Sequence, residues 1–123
     1  MGQTNHYLAI EGEAKDWEEA ISLCGQAIAK AGYADKTFMK ACIEREKEYP
    51  TGLPSEVPVA IPHSKVDGIK DNCVCFLRLK NPVRFYRMDS DEESIETTAV
   101  FNLAIKDGDQ HLEFLQALMQ AVM

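Results

Sequence analysis

Between Trp17 and Ala31 the apolar side chains Trp17, Ala20, Ile21, Cys24, Ala27, Ile28 and Ala31 recur at i, i+3, i+4, i+7 spacing. That spacing gives one stripe along one face of a helix. Asp16 precedes the stripe as a cap with Glu19 three residues on, as in a capping box. Gly32 follows it, where a left-handed residue ends a helix without steric cost. A second helix is expected from near Asp35, burying Phe38, Met39, Cys42 and Ile43. It runs through Glu44-Arg45-Glu46-Lys47-Glu48 to Pro50, which stops it because the residue before a proline is pushed out of helical geometry.

The other apolar segments read as strands. His6 to Ile10 is short and ends at Glu11-Gly12, which predicts a first strand with His6 facing solvent at its start. Val57, Val59 and Ile61 alternate, and Pro58 confines that segment to an edge or a strand start. Cys73 to Leu77 is apolar on both faces, as in a strand covered by helices on either side. Asn81-Pro82 predicts a turn, Val83 to Tyr86 a short strand, and Asp89 to Glu93 an acidic loop without assignable chemistry. Thr97 to Ile105 reads as another central strand. Asp107-Gly108-Asp109 then turns into a helix carrying Leu112, Leu115, Leu118, Met119 and Val122, with His111 in its first turn. The order strand, helix, helix, strands, helix argues an α/β fold: a mixed β-sheet flanked by α-helices. No repeat or linker interrupts it, so residues 1–123 are expected to form a single domain.

Composition narrows the function classes. The chain has 123 residues, 46% of them hydrophobic and 27% charged, ordinary for a soluble globular domain. No apolar run approaches the roughly 18 residues that span a bilayer, so direct membrane insertion is not expected and the chain reads as cytoplasmic. Thirteen Lys and Arg against twenty Asp and Glu leave a net charge of −7. That balance disfavours nucleic acid and anionic membrane as partners. It does not prevent a local arginine or helix N-terminus from holding a small anion. Cys24, Cys42, Cys73 and Cys75 show no Cys-x-x-Cys spacing and meet only three histidines, so buried reduced thiols are expected rather than a metal site. No cofactor is implied.

Candidate chemistry gathers around Pro62-His63. Phosphate-loop, dinucleotide, nucleophile-elbow and His-Glu-x-x-His motifs are absent. His63 follows a proline at the end of an apolar run, on constrained backbone, and a neutral imidazole held there is a usable nucleophile. Arg45 lies in the last turn of the second helix, one loop upstream, and His111 heads the final helix one tight turn beyond a strand. Two histidines and an arginine meeting at strand ends suit a phosphoryl group: one imidazole attacks phosphorus, while the other and the guanidinium stabilise its oxygens. Thr51 and Ser64 are candidate hydroxyl donors to the same oxygens. On the residues alone, a solvated helix face for Arg45 and an ordinary surface position for His111 stand beside this reading. So does local turn bonding for Thr51 and Ser64.

Arg45-Glu46, Tyr49-Pro50-Thr51-Gly52-Leu53, Ala60-Ile61-Pro62-His63-Ser64 and Leu103-Ala104 with Gln110-His111-Leu112 together resemble the EIIA domains of the bacterial sugar phosphotransferase system. The branch is the fructose/mannitol class, and the form is most similar to galactitol-type EIIA. The resemblance runs from about Asp16 to the end of the chain. It implies a phosphotransferase in which His63 accepts a phosphoryl group from phospho-HPr and passes it to a cysteine of a cognate EIIB, for uptake of a sugar or polyol. His111 and Arg45 would flank the phosphohistidine. The alternative within the same class is a regulatory module whose phosphorylation state controls a partner protein. The class normally continues past this last helix, so the chain is expected to be truncated or naturally short there. Apolar surface left by that shortening would favour a homo-oligomer.

Overall fold

The computed structural model describes residues 5–64, 68–106, 113, 114, 116, 117 and 120. Strand β1 (Asn5–Gly12) leads to helix α1 (Trp17–Ala31) and helix α2 (Lys36–Glu48). Two short strands follow, β2 (Gly52–Leu53) and β3 (Val59–Ala60), then the long strands β4 (Asn72–Arg87) and β5 (Ser90–Ala104).

Helix α1 forms where the apolar stripe predicts it. The Asp16 carboxylate accepts from the Glu19 N–H at 2.9 Å, and Glu19 accepts from the Lys15 N–H at 3.1 Å. This satisfies donors that a helix start leaves orphaned. Gly32 closes the helix at φ 88°, the left-handed conformation its missing Cβ permits. Helix α2 is capped by the Asp35 carboxylate, which accepts from the Thr37 and Phe38 N–H groups. Both helices lie on one face of the sheet. Ala20, Ile21, Cys24 and Ile28 of α1 and Phe38 and Cys42 of α2 pack on Cys73, Cys75, Leu77, Phe85, Val100 and Ala104. All four cysteines are buried free thiols. The opposite face carries Val74, Leu103 and Ile105, with Phe101 and Phe114 packed against them.

Strand β4 pairs in parallel with β1 and antiparallel with β5. The small β2–β3 hairpin joins the other edges of that pair: β2 runs parallel to β4 at Gly52↔Arg87, and β3 parallel to β5 at Ala60↔Val100. The pairings β4–β5–β3–β2–β4 therefore close on themselves, with β1 attached outside the ring.

Three local expectations need correction. Asn81-Pro82 does not turn the chain. It sits inside β4 at the register shift between Arg78 and Val83, where the interrupted ladder asks no N–H of the proline. The acidic segment is not a loop: Asp89 ends the tight turn and residues 90–93 open β5, with Arg87 clamped by Asp89 at 2.5 Å and Glu93 at 2.7 Å. His6 does not simply face solvent: its half-buried ring stacks on Tyr33 with centroids 4.0 Å apart. The expected final helix, His111 included, falls largely outside the described residues, of which 113, 114, 116, 117 and 120 are helical.

Candidate active site

His63 is presented by backbone that leaves the sheet without letting go of it. After β3 ends at Ala60, Ile61 donates to the Thr51 carbonyl at 3.3 Å, and the Pro62 carbonyl accepts from the Leu103 N–H at 3.0 Å. His63 then makes an isolated parallel bridge with Leu103. Pro62 offers no N–H, so its carbonyl is the only backbone hydrogen-bonding group with which it can anchor the turn. That carbonyl has a second donor, the Asn102 side-chain amide at 2.9 Å. The His63 Nδ1 lies 2.7 Å from the Ile61 carbonyl oxygen. A carbonyl can only accept, so Nδ1 carries the proton and Nε2 carries the ring's lone pair. Burial depresses the His63 pKa below its ordinary 6.5, and the nearby Arg45 guanidinium depresses it further, against the raising effect of the Ile61 carbonyl. The imidazole is therefore neutral near pH 7, the protonation state a nucleophile needs.

Arg45 reaches this region from the last turn of α2. Its guanidinium lies over the Tyr49 ring at 5.0 Å, and its Nε is buried with no hydrogen-bond partner among the described residues. A half-buried cation whose charge is felt at His63, but which is not consumed by a carboxylate ion pair among the described residues, is suited to an anion that arrives only during turnover.

Thr51 lies against the segment that leads to His63, its carbonyl accepting from the Ile61 N–H, but its hydroxyl is committed to another side chain. Thr51 Oγ1 donates to the Glu46 carboxylate, 2.9 Å from Oε1 and 3.1 Å from Oε2, and the Thr51 N–H donates to the same carboxylate at 2.8 Å. The hydroxyl has one proton, and Glu46 takes it. Glu46 itself is only 5% exposed, and burial pushes its carboxyl from 4.5 up to about 7 against the Thr51 hydrogen bonds and Arg45. This buried acid was hidden in a charged run that reads as a solvated face. What marks it is position: five residues ahead of Thr51, across the helix end at Pro50. Glu46 also borders a cavity of about 310 Å³ with Trp17, Lys47, Pro50 and Tyr86, a lining that includes neither His63 nor Arg45.

Gly52 explains the Thr-Gly pair. A Cβ there would lie 2.5 Å from the Tyr86 carbonyl oxygen, so only glycine lets β2 come this close to β4. Ser64 is half-buried beside His63. His111, the other residue expected here, lies outside the described residues, but Phe114 packs against the cluster of Leu53, Val59 and Ile61 just ahead of Pro62. Asn102, which carries no catalytic motif, also belongs to this region through its contact with the Pro62 carbonyl. Its signal is the one amide in the apolar run Val100-Phe101-Asn102-Leu103-Ala104-Ile105.

The fold and this arrangement define an α/β domain that presents one neutral, oriented histidine beside a guanidinium. The family model for the phosphoenolpyruvate-dependent sugar phosphotransferase system, EIIA 2, matches residues 4–123. The chain belongs to that family. It is 31% identical over 104 residues to the galactitol-specific EIIA component of the system in Escherichia coli K12, covering 84% of this chain and 69% of that protein. It is 29% identical over 111 residues to the transcriptional regulator ManR of Bacillus subtilis, covering 89% of this chain but 16% of the regulator. Among solved structures, it resembles a complex of mannitol enzyme IIA and phosphorylated enzyme IIB from Escherichia coli. There the TM-score is 0.72 at 28% identity, covering 89% of this chain and 73% of that one. The mixed sheet with flanking helices expected from the sequence is thus the fold of this family. Among the described residues no helix is long and apolar enough to cross a membrane.

Proposed function

We propose that this chain is a phosphoryl carrier in which His63 takes a phosphoryl group from phospho-HPr and hands it to a cysteine of a cognate EIIB, for uptake of a sugar or polyol of the galactitol kind. The observation that carries the reading is the Nδ1–H to Ile61 hydrogen bond at 2.7 Å, which puts the lone pair on Nε2 of a ring kept neutral by burial. Nε2 attacks phosphorus, an N–P bond forms, and the N–P bond to the donor histidine breaks. The EIIB thiolate then attacks the same phosphorus, forming S–P and returning the electron pair to Nε2. Arg45 stabilises the equatorial oxygens in both steps, and His111 is assigned the supporting role. Ser64 is the remaining candidate hydroxyl; Thr51 acts through Glu46 on the loop. The solved complex of a relative with phosphorylated enzyme IIB supports an EIIB-type acceptor, and no resident metal or cofactor is needed.

Incubation with phosphoenolpyruvate, enzyme I and HPr should add one phosphoryl group, acid-labile and alkali-stable, visible by intact mass. His63→Ala should abolish it; a variant that still takes up the group refutes the assignment. The likeness to part of the regulator ManR favours a second reading, in which the same phosphohistidine controls a partner protein. Transfer from the phosphorylated chain to any of a panel of EIIB proteins supports the relay, and phosphorylation without such transfer supports the regulatory reading.

A further inference from the structure

Asn102 is fully buried, at 0% exposure, on the helix-facing side of β5 between Val100 and Ala104 and opposite Cys75 of β4. An aliphatic residue would fit the pattern of that face. The amide instead leaves its Oδ1 buried with no hydrogen-bond partner among the described residues, a net loss on folding for an acceptor that water would satisfy. Among the described residues, what the side chain makes in return is all on Nδ2. One contact is the hydrogen bond to the Pro62 carbonyl at 2.9 Å; the other is to Cys42 Sγ at 3.6 Å. The first fixes the peptide that enters His63. The second touches α2 one turn before Arg45. A flipped amide would set Oδ1 against the Pro62 carbonyl, two acceptors face to face, so this orientation is the one the geometry allows.

We propose that Asn102 is the positioning residue of the site: its single amide nitrogen ties the Pro62–His63 turn to helix α2, and so sets the imidazole against the Arg45 guanidinium. The inference rests on the phosphoryl-carrier reading for its consequence, but its geometry stands apart from it. Two donors, Leu103 N–H and Asn102 Nδ2, fill both lone-pair positions of the Pro62 carbonyl, which holds the peptide plane. The ring is then oriented from the other end by its own Nδ1–H on the Ile61 carbonyl. With the amide removed, the Pro62 carbonyl keeps one of its two donors and the ring gains freedom relative to the guanidinium. Near-attack geometry is sensitive to that kind of loosening.

Asn102→Leu replaces the amide with an apolar side chain of similar size and removes the Oδ1 that has no hydrogen-bond partner among the described residues, so its melting temperature should be equal to or above that of the parent. Two readouts then separate positioning from packing. Single-turnover phosphoryl uptake from phospho-HPr should fall about tenfold, and ¹⁵N-detected imidazole spectra of His63 should change from one Nδ1–H tautomer in the parent to a mixture. Unchanged uptake together with an unchanged His63 tautomer overturns the proposal, whatever the melting temperature does. Should Asn102→Leu not fold, Asn102→Val, with the β-branching that strands favour, is read in the same two ways. A parent that takes up no phosphoryl group refutes the carrier reading, while the tautomer comparison still decides the role of Asn102.

Discussion

Glu46 allows the internal electrostatics to be tested without any partner protein. Its carboxyl titrates at about 7 in the folded chain rather than at 4.5, so the folded state binds the proton more tightly than the unfolded state does. Stability is then fully present below about pH 4.5 and is lost as pH rises to about 7, because ionising the buried acid costs more than ionising it in water. At about 1.4 kcal/mol per pKa unit, the full span is worth about 3 kcal/mol. Glu46→Gln keeps the shape and an oxygen that can accept from the Thr51 N–H, but it cannot titrate. The difference in unfolding free energy, variant minus parent, should therefore climb by about 3 kcal/mol between about pH 4 and about pH 8. His63 has the opposite sign: its depressed pKa means that stability is lost as pH falls through and below its ordinary range. Both proteins carry His63, so its contribution cancels in the difference. Urea unfolding followed by circular dichroism at steps of about half a pH unit gives the curve. A flat or falling difference would show that the Thr51 hydrogen bonds and Arg45 outweigh burial at Glu46.

Two further substitutions probe the same region. Arg45→Met removes the cation that lowers the His63 pKa, so the His63 titration midpoint should rise, as read by imidazole NMR. Phosphoryl uptake should slow by about 10- to 1000-fold while stability changes by no more than about 1 kcal/mol; an unmoved midpoint would mean that the guanidinium does not act on this ring. Gly52→Ala drives a Cβ to 2.5 Å from the Tyr86 carbonyl oxygen, backbone that cannot swing aside. It should cost about 2 kcal/mol or more in urea unfolding, and a neutral result would show that β2 can move away from β4 freely.

How much of this the sequence discloses depends on how local the cause is. Helix α1 can be read residue by residue because its stripe, its Asp16 cap and its Gly32 stop all act within a few positions. Pro82 misleads because proline punctuates a turn and a bulge equally well; only pairing with β5 decides between them. Glu46 looks like its charged neighbours, and its burial depends on where the chain goes after Pro50. Asn102 is plain as a polar residue in an apolar run, yet its partner at Pro62 is 40 residues away. The Pro62-His63 turn stands out because proline and histidine each have strong, context-independent chemistry, and Arg45 stands out only by lying one loop away from it.

The ring of pairings β4–β5–β3–β2 also bears on the order in which this protein assembles. The β4–β5 hairpin closes through the two residues Met88 and Asp89, a local step that small hairpins complete within about 10 μs. Seating Thr51 through His63 against it joins Gly52 to Arg87 and Ala60 to Val100, contacts whose loop-closure entropy is larger and must be met before they stabilise anything. On that ground the segment that carries His63 is expected to dock on a hairpin already formed. Strain or slack within that segment is felt mainly as faster unfolding rather than slower folding. During synthesis on the ribosome the histidine emerges well before Val100 and Leu103, the strand residues that will orient it.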